Sequence, residues 1–302
     1  MSRSRTIKSI LAFLCSSLIL HSQEYNSEFE KRTQTVGSET QAFYESKVTA
    51  GTAMFYGDYL IDTIRRDTSV EIYLISNRHI FYRNEQYPDS IRFSVAGKLE
   101  GSEDRSWFPI TLSQDYIKRN IIVGNNVDLD VAAIYIDSII DHYNSDGALL
   151  DTLRPLNRYV MEYEAKSITP KIGDRVIILG YPQGFYDEIN KYPVAKSGII
   201  ASSYGVNYNG DKQFLIDAKL YPSSSGSLVL WQPSRFDVID KQVGMYEDKP
   251  FIPLGIYSGE RFVIGDRIET DEQIVFEKRT MDFGYVWYLT TISDLIDQNK
   301  EE

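Results

Sequence analysis

From residue 48 onward the chain alternates short apolar stretches with turn-forming residues. The stretches 48–56 (VTAGTAMFY), 70–76 (VEIYLIS), 91–95 (IRFSV), 108–112 (FPITL) and 131–136 (VAAIYI) form a first set. The second set is 175–180 (RVIILG), 198–202 (GIIAS), 214–218 (FLIDA), 227–230 (SLVL), 252–257 (IPLGIY) and 284–289 (GYVWYL). Runs this short and frequent, bounded by turn residues, predict an all-β barrel or sandwich. Residues 137–170 break the texture with acids at helix-like spacing, Gly147 and Pro155. The pattern therefore predicts a first barrel over 47–145, a connection over 146–170 and a second barrel over 171–302. Within that last stretch, 291–299 (TISDLIDQN) has helical spacing, with Thr290 or Ser293 available as an N-cap. Residues 24–46 are polar and weakly patterned and are expected to be a loose leader with at most a helical turn. Two charged insertions, 231–249 and 260–281, fit either cleft-bordering loops or hairpins that extend the second barrel.

Ahead of the leader, Arg3, Arg5 and Lys8 precede an apolar run over 10–20 (ILAFLCSSLIL). That is the form of a secretory signal, too short to span a bilayer comfortably, so residues 1–23 are expected to be a signal peptide and the protein exported to the periplasm or beyond. No later run is long and apolar enough for a transmembrane helix. The formal net charge is −11, and it becomes −14 once the three cations of residues 1–23 are gone. Such a chain should be repelled by nucleic acid and by anionic membrane surfaces. The one cysteine, Cys15, lies in the same segment. Its removal would exclude disulfides, thiolate metal sites and a cysteine nucleophile. Nor does any His/Cys cluster suggest a metal.

Three histidines occur, and His21 belongs to the signal segment. His79 ends the run Leu74-Ile75-Ser76-Asn77-Arg78-His79, at a strand end where a base can face a cleft. His142, in Asp141-His142-Tyr143, lies in a polar stretch and is expected to be exposed and inert. Ser225 lies in Pro222-Ser223-Ser224-Ser225-Gly226-Ser227. A serine hydroxyl needs a base to take its proton and a tight turn that aims N–H groups at a developing oxyanion. Pro222 and Gly226 suit such a turn, although serines beside Pro and Gly also make ordinary loops. Asp130 immediately precedes the apolar run 131–136, so its carboxylate can be partly buried and still reach an imidazole. Asp128 is the competitor for that role.

Taken in order, these segments resemble the bacterial trypsin-like serine peptidases. Gly51-Thr52-Ala53-Met54-Phe55 resembles their opening strand, Ser76-Asn77-Arg78-His79-Ile80 their histidine segment, and Asp128-Leu129-Asp130-Val131-Ala132 their aspartate segment. Gly173-Asp174-Arg175-Val176 with Gly180-Tyr181-Pro182 is similar to the start of their second barrel, and Lys196-Ser197-Gly198-Ile199-Ile200 to the strand after it. Residues 222–227 match the nucleophile turn. Leu254-Gly255-Ile256-Tyr257-Ser258-Gly259 resembles the strand that pairs with substrate backbone. The order His, Asp, Ser is the chymotrypsin-type order.

The resemblance, over about residues 48–296, implies two six-stranded Greek-key β-barrels of the chymotrypsin type with a C-terminal helix. It implies His79, Asp130 and Ser225 as a catalytic triad, and the N–H groups of Ser223 and Ser225 as the oxyanion hole. Leu220, Tyr221, Ile256, Tyr257 and Ser258 would bind an extended peptide substrate, with Lys219 at the pocket rim. No cofactor or metal is implied. One departure concerns the oxyanion hole: Ser223 stands where the family usually has glycine, and a residue with a Cβ resists left-handed backbone. A peptide-binding module that has lost useful catalysis is the alternative on the same fold.

Overall fold

The computed structural model describes residue 33 and residues 36–45, 47–62, 67–102, 105–150, 156–157, 170–189, 192–232, 236–239, 242–245, 251–269 and 274–301. The expected signal segment, residues 1–23, lies outside these.

The N-terminal half is a sheet built from β1 (Val36–Tyr44), β2 (Lys47–Asp62), β3 (Asp67–Ser76), β4 (Ser90–Leu99), β5 (Arg105–Ser113), β6 (Ile121–Val123) and β7 (Ala132–Tyr135). Their order across the sheet is β5-β4-β1-β2-β3-β7-β6. Two short strands, β8 (Ala148–Leu149) on β4 and β9 (Leu156–Asn157) on β2, bring the total to nine. β9 pairs with β2 in parallel, and every other strand pairing here is antiparallel. The helices α1 (Arg78–Phe81), α2 (Gln114–Asn120) and α3 (Asp137–Ser145) punctuate this half.

The C-terminal half is a closed six-stranded barrel in the order β10-β11-β12-β17-β16-β13. Its strands are β10 (Arg175–Gly180), β11 (Val194–Ile200), β12 (Gln213–Asp217), β13 (Leu228–Trp231), β16 (Ile252–Glu269) and β17 (Ile274–Tyr288). Between β13 and β16, among the described residues, β14 (Phe236–Ile239) and β15 (Gln242–Met245) pair only with each other, and α4 (Thr290–Glu301) follows β17. Both charged insertions are thus hairpins. The second continues β16 and β17 well past the barrel, with pairing as far as Glu269 opposite Ile274.

Residues 36–44 correct the expectation of a loose leader. Although VGSETQAFY carries few apolar residues, β1 lies between β2 and β4 and pairs with both. Its Thr40 and Ala42 are fully buried. Long-range pairing on both edges, not apolar periodicity, makes this segment a strand.

Three apolar clusters hold the molecule. One fills the N-terminal sheet, with Phe55, Leu74, Phe81, Ile91 and Ile134. Another fills the barrel, with Val176, Phe214, Ile216, Val229 and Val286. The third lies between the halves and takes Met54, Tyr56 and Ile75 from one, Leu179, Leu228 and Trp287 from the other, and Ile292, Leu295 and Ile296 from α4. Fully burying each such aliphatic side chain contributes about 1.5–3 kcal/mol, so the shared cluster fixes one half against the other.

Candidate active site

β3 ends at Ser76, and the chain turns at the buried Asn77 into α1, a single helical turn that carries His79. His79 is gripped twice by one carboxylate. Its backbone N–H donates to Asp130 Oδ1 at 2.9 Å, and its Nδ1 lies 2.7 Å from Asp130 Oδ2. Asn77 Nδ2 in turn donates to the Asp130 carbonyl at 2.8 Å, which fixes the backbone from which that carboxylate projects. The imidazole is 42% exposed and the carboxylate side chain 24%, so the pair is partly open to solvent. Asp128, the competitor, is exposed, and its N–H bonds Asn126 Oδ1 at 3.0 Å. His142 lies on α3, 69% exposed, with Asp146 at 3.7 Å and the Tyr143 ring edge-on to it.

Ser225 comes from the other half, in the turn between β12 and β13. Its carbonyl accepts from Thr52 N at 2.7 Å, and Thr52 O accepts from Ser76 Oγ at 2.7 Å. The Thr52 hydroxyl also accepts from Tyr181 N at 3.0 Å. Thr52 therefore ties the Ser225 turn, the strand that leads to His79 and the end of the first barrel strand of the C-terminal half together. Gly226 permits this closeness. It has φ +84°, and a Cβ there would come within 1.9 Å of Thr52 O. Only glycine meets both demands.

Ser258 joins the two groups. The Ser225 hydroxyl donates to the Ser258 carbonyl at 3.0 Å, and the Ser258 hydroxyl donates to Asp130 Oδ2. Imidazole, carboxylate, Ser258 and Ser225 thus form one connected set across the two halves. The sequence marks Ser258 only as a substrate-strand residue. Its grip on Asp130 is invisible there, because a bulge between Tyr257 and Gly259 changes which face Ser258 presents.

The turn around Ser225 is held from several sides. Pro222 O accepts from Gln183 N at 2.8 Å, Tyr221 O from Ser224 N at 3.1 Å, and Tyr257 O from Gly226 N at 2.8 Å. The peptide after Pro222 is trans, so anchoring its carbonyl on Gln183 points the Ser223 N–H the opposite way. Ser223 takes φ +68°, the left-handed region its Cβ disfavours. Among the described residues, neither the Ser223 N–H nor the Ser225 N–H has a hydrogen-bond partner.

The residues expected to bind substrate separate on inspection. Ile256 is fully buried and paired on both edges, with Leu228 on one side and Trp287 on the other, so it cannot receive a substrate strand. Tyr257 is 3% exposed, and its N–H and carbonyl are already bonded to Ser227 and Gly226. Burial pushes its phenol pKa up, with Glu260 nearby adding to the shift. Leu220 is buried with the barrel core. Tyr221 is exposed, with Lys196 Nζ 4.3 Å from its ring centroid, and Lys219 is also exposed. The open edge of β16 therefore begins at Ser258.

The trypsin-like peptidase domain matches residues 51–235. The chain belongs to that family. Among solved structures, Protease Anisep from Arthrobacter nicotinovorans is 11% identical, with a TM-score of 0.45 over 86% of this chain and 93% of its own. An HtrA-type protease with a tripeptide is 14% identical, with a TM-score of 0.44 over 90% of this chain. This chain spans 62% of that protease's length. An inactivated protease paralogue of the scabies mite is 11% identical, with a TM-score of 0.43 over 89% of this chain and 96% of its own. No curated protein matches the chain. Among the described residues, no group of histidines, cysteines and acids has the makings of a metal site.

Proposed function

We propose that this trypsin-like peptidase is an exported serine endopeptidase, with Ser225 as nucleophile, His79 as general base and Asp130 as the group that orients the base. The observation that carries the reading is the double grip of Asp130 on His79. The carboxylate holds a proton on Nδ1 and leaves Nε2 as the acceptor a serine hydroxyl needs. In the resting site Ser225 Oγ–H points at the Ser258 carbonyl. An extended substrate offers its own N–H to that carbonyl, and the displaced hydroxyl turns to His79. Ser225 Oγ then attacks the scissile carbonyl as its proton passes to His79, and the unpartnered N–H groups of Ser223 and Ser225 receive the oxyanion. His79 protonates the leaving amine, and water hydrolyses the acyl-enzyme. These steps call for no cofactor. The substrate is a protein or peptide in extended form; with a chain this acidic, neither nucleic acid nor a membrane surface is expected as a partner.

The contact of Ser225 with Ser258 in place of His79 also favours a second reading, a peptide-binding module with a latent nucleophile. Fluorophosphonate labelling of the purified protein separates the two. Labelling that vanishes in Ser225→Ala supports the endopeptidase. A folded protein that takes no label would leave the binding module.

A further inference from the structure

The open edge at Ser258 does not stop after the few residues that a short peptide would cover. β13 pairs with β16 only from Ile252 to Ile256, and the bonds of Tyr257 to Ser227 and Gly226 close the next step. Beyond that point β16 continues to Glu269 with β17 on one side and, among the described residues, no strand on the other. A row of backbone donors and acceptors, broken into segments by bulges, thus runs from beside Ser225 out along the hairpin arm. Three bulges, at Tyr257/Gly259, Glu260/Phe262 and Ile264/Arg267, twist this edge without ending its pairing to β17.

Direction decides which part of a substrate would lie there. β13 runs antiparallel to β16. A peptide that continues the sheet on the same edge in the same sense travels from the Glu269 end toward Ser258. Its residues before the scissile bond then lie along the arm, and its scissile carbonyl arrives at Ser225. Resting on the endopeptidase reading above, we propose that β16 between Ser258 and Glu269 is an extended acceptor edge for the upstream part of the substrate. The enzyme would thereby select unfolded or extended segments with a long accessible stretch before the cut. Main-chain pairing supplies the affinity in this recognition mode and is indifferent to most side chains.

The test compares peptides identical across the scissile bond, with about four or about ten residues upstream, at roughly 3.4 Å per residue along the arm. The longer peptide is expected to have kcat/KM at least about tenfold higher, mainly through KM, equivalent to about 1.4 kcal/mol of added binding. N-methylation of the longer peptide at alternate upstream positions should remove the gain, while methylation at the intervening positions leaves it. In a variant with residues 262–280 replaced by Asn-Gly, which retains Ser225 and its neighbours, both peptides should be cleaved at the rate of the short one. Equal rates for the two lengths in the intact protein, or insensitivity to N-methylation, would overturn the proposal even with the endopeptidase intact. So would an arm deletion that dissociates a dimer in sedimentation while the length effect persists. If neither peptide is cleaved and Ser225 takes no label, the endopeptidase reading fails. Fluorescence anisotropy of the longer peptide and its N-methylated forms then still decides whether the arm binds it.

Discussion

At the residue scale, Asp130 accepts from the His79 backbone, its imidazole and the Ser258 hydroxyl at once. Asp130→Asn keeps the shape and can still accept from Nδ1–H, but its amide equally favours the opposite tautomer. In a trypsin-type triad that exchange lowers kcat by about 10⁴, and the same order is expected here by steady-state kinetics, with KM little changed. Ser223 gives a sharper contrast. It already adopts φ +68°, so its Cβ is already accommodated in left-handed backbone. Ser223→Gly should therefore change kcat less than about threefold. Ser223→Val, whose branched Cβ strongly disfavours that region, should displace one N–H and lower kcat by about 10². The sequence raises the question of Ser223 but does not show how its turn is held, because the Gln183–Pro222 bond comes from a distant loop.

At the element scale, the parts legible in sequence were those whose signal is local. The apolar runs behind β2, β3, β7, β10, β12 and β13 announced themselves, as did the His79, Asp130 and Ser225 segments, because each packs its own residues into a core or turn. What stayed hidden was β1, whose polar sequence is a strand only because β2 and β4 flank it, and the point beside the Tyr257/Gly259 bulge where pairing of β16 with β13 ends.

The C-terminal helix was legible, but not its anchor. Lys300 Nζ on α4 reaches Asp58 Oδ2 at 2.9 Å on β2 and Glu71 Oε2 at 2.7 Å on β3. Partial burial lowers the ammonium pKa, yet the hydrogen bonds to Glu71 and Asp58 outweigh it and leave the pKa raised above 10.5. A folded-state pKa above the unfolded one means the stabilisation is fully present below about pH 10.5 and fades as pH climbs through the folded value. Lys300→Ala is expected to cost about 1–2 kcal/mol at pH 8, since it strands the nearly buried Asp58. Urea unfolding of both proteins at rising alkaline pH should show that difference shrinking.

At the scale of the whole molecule, the proposed catalysis requires two halves held at hydrogen-bond precision, since His79 and Asp130 come from one and Ser225 and Ser258 from the other. The shared cluster supplies bulk apolar adhesion, which is undirected. Register comes from a polar seam centred on Thr52, which donates to the Ser225 carbonyl, accepts from Ser76 and accepts from Tyr181. Gly226 packs directly against the backbone of that seam. Gly226→Ala would drive a Cβ into Thr52 O, a backbone atom that can yield only by moving β2, and would also strain a φ of +84°. The variant is therefore expected to lose about 2–4 kcal/mol of stability. It should also lose fluorophosphonate labelling at temperatures where it is still folded, because parting the seam by even 1 Å misplaces Ser225 against His79. Thermal unfolding monitored alongside labelling distinguishes this from simple destabilisation. Loss of labelling well below the unfolding midpoint would show that Thr52 and Gly226 set the register of the site. Labelling that survives until the protein melts would assign that register to the apolar cluster instead.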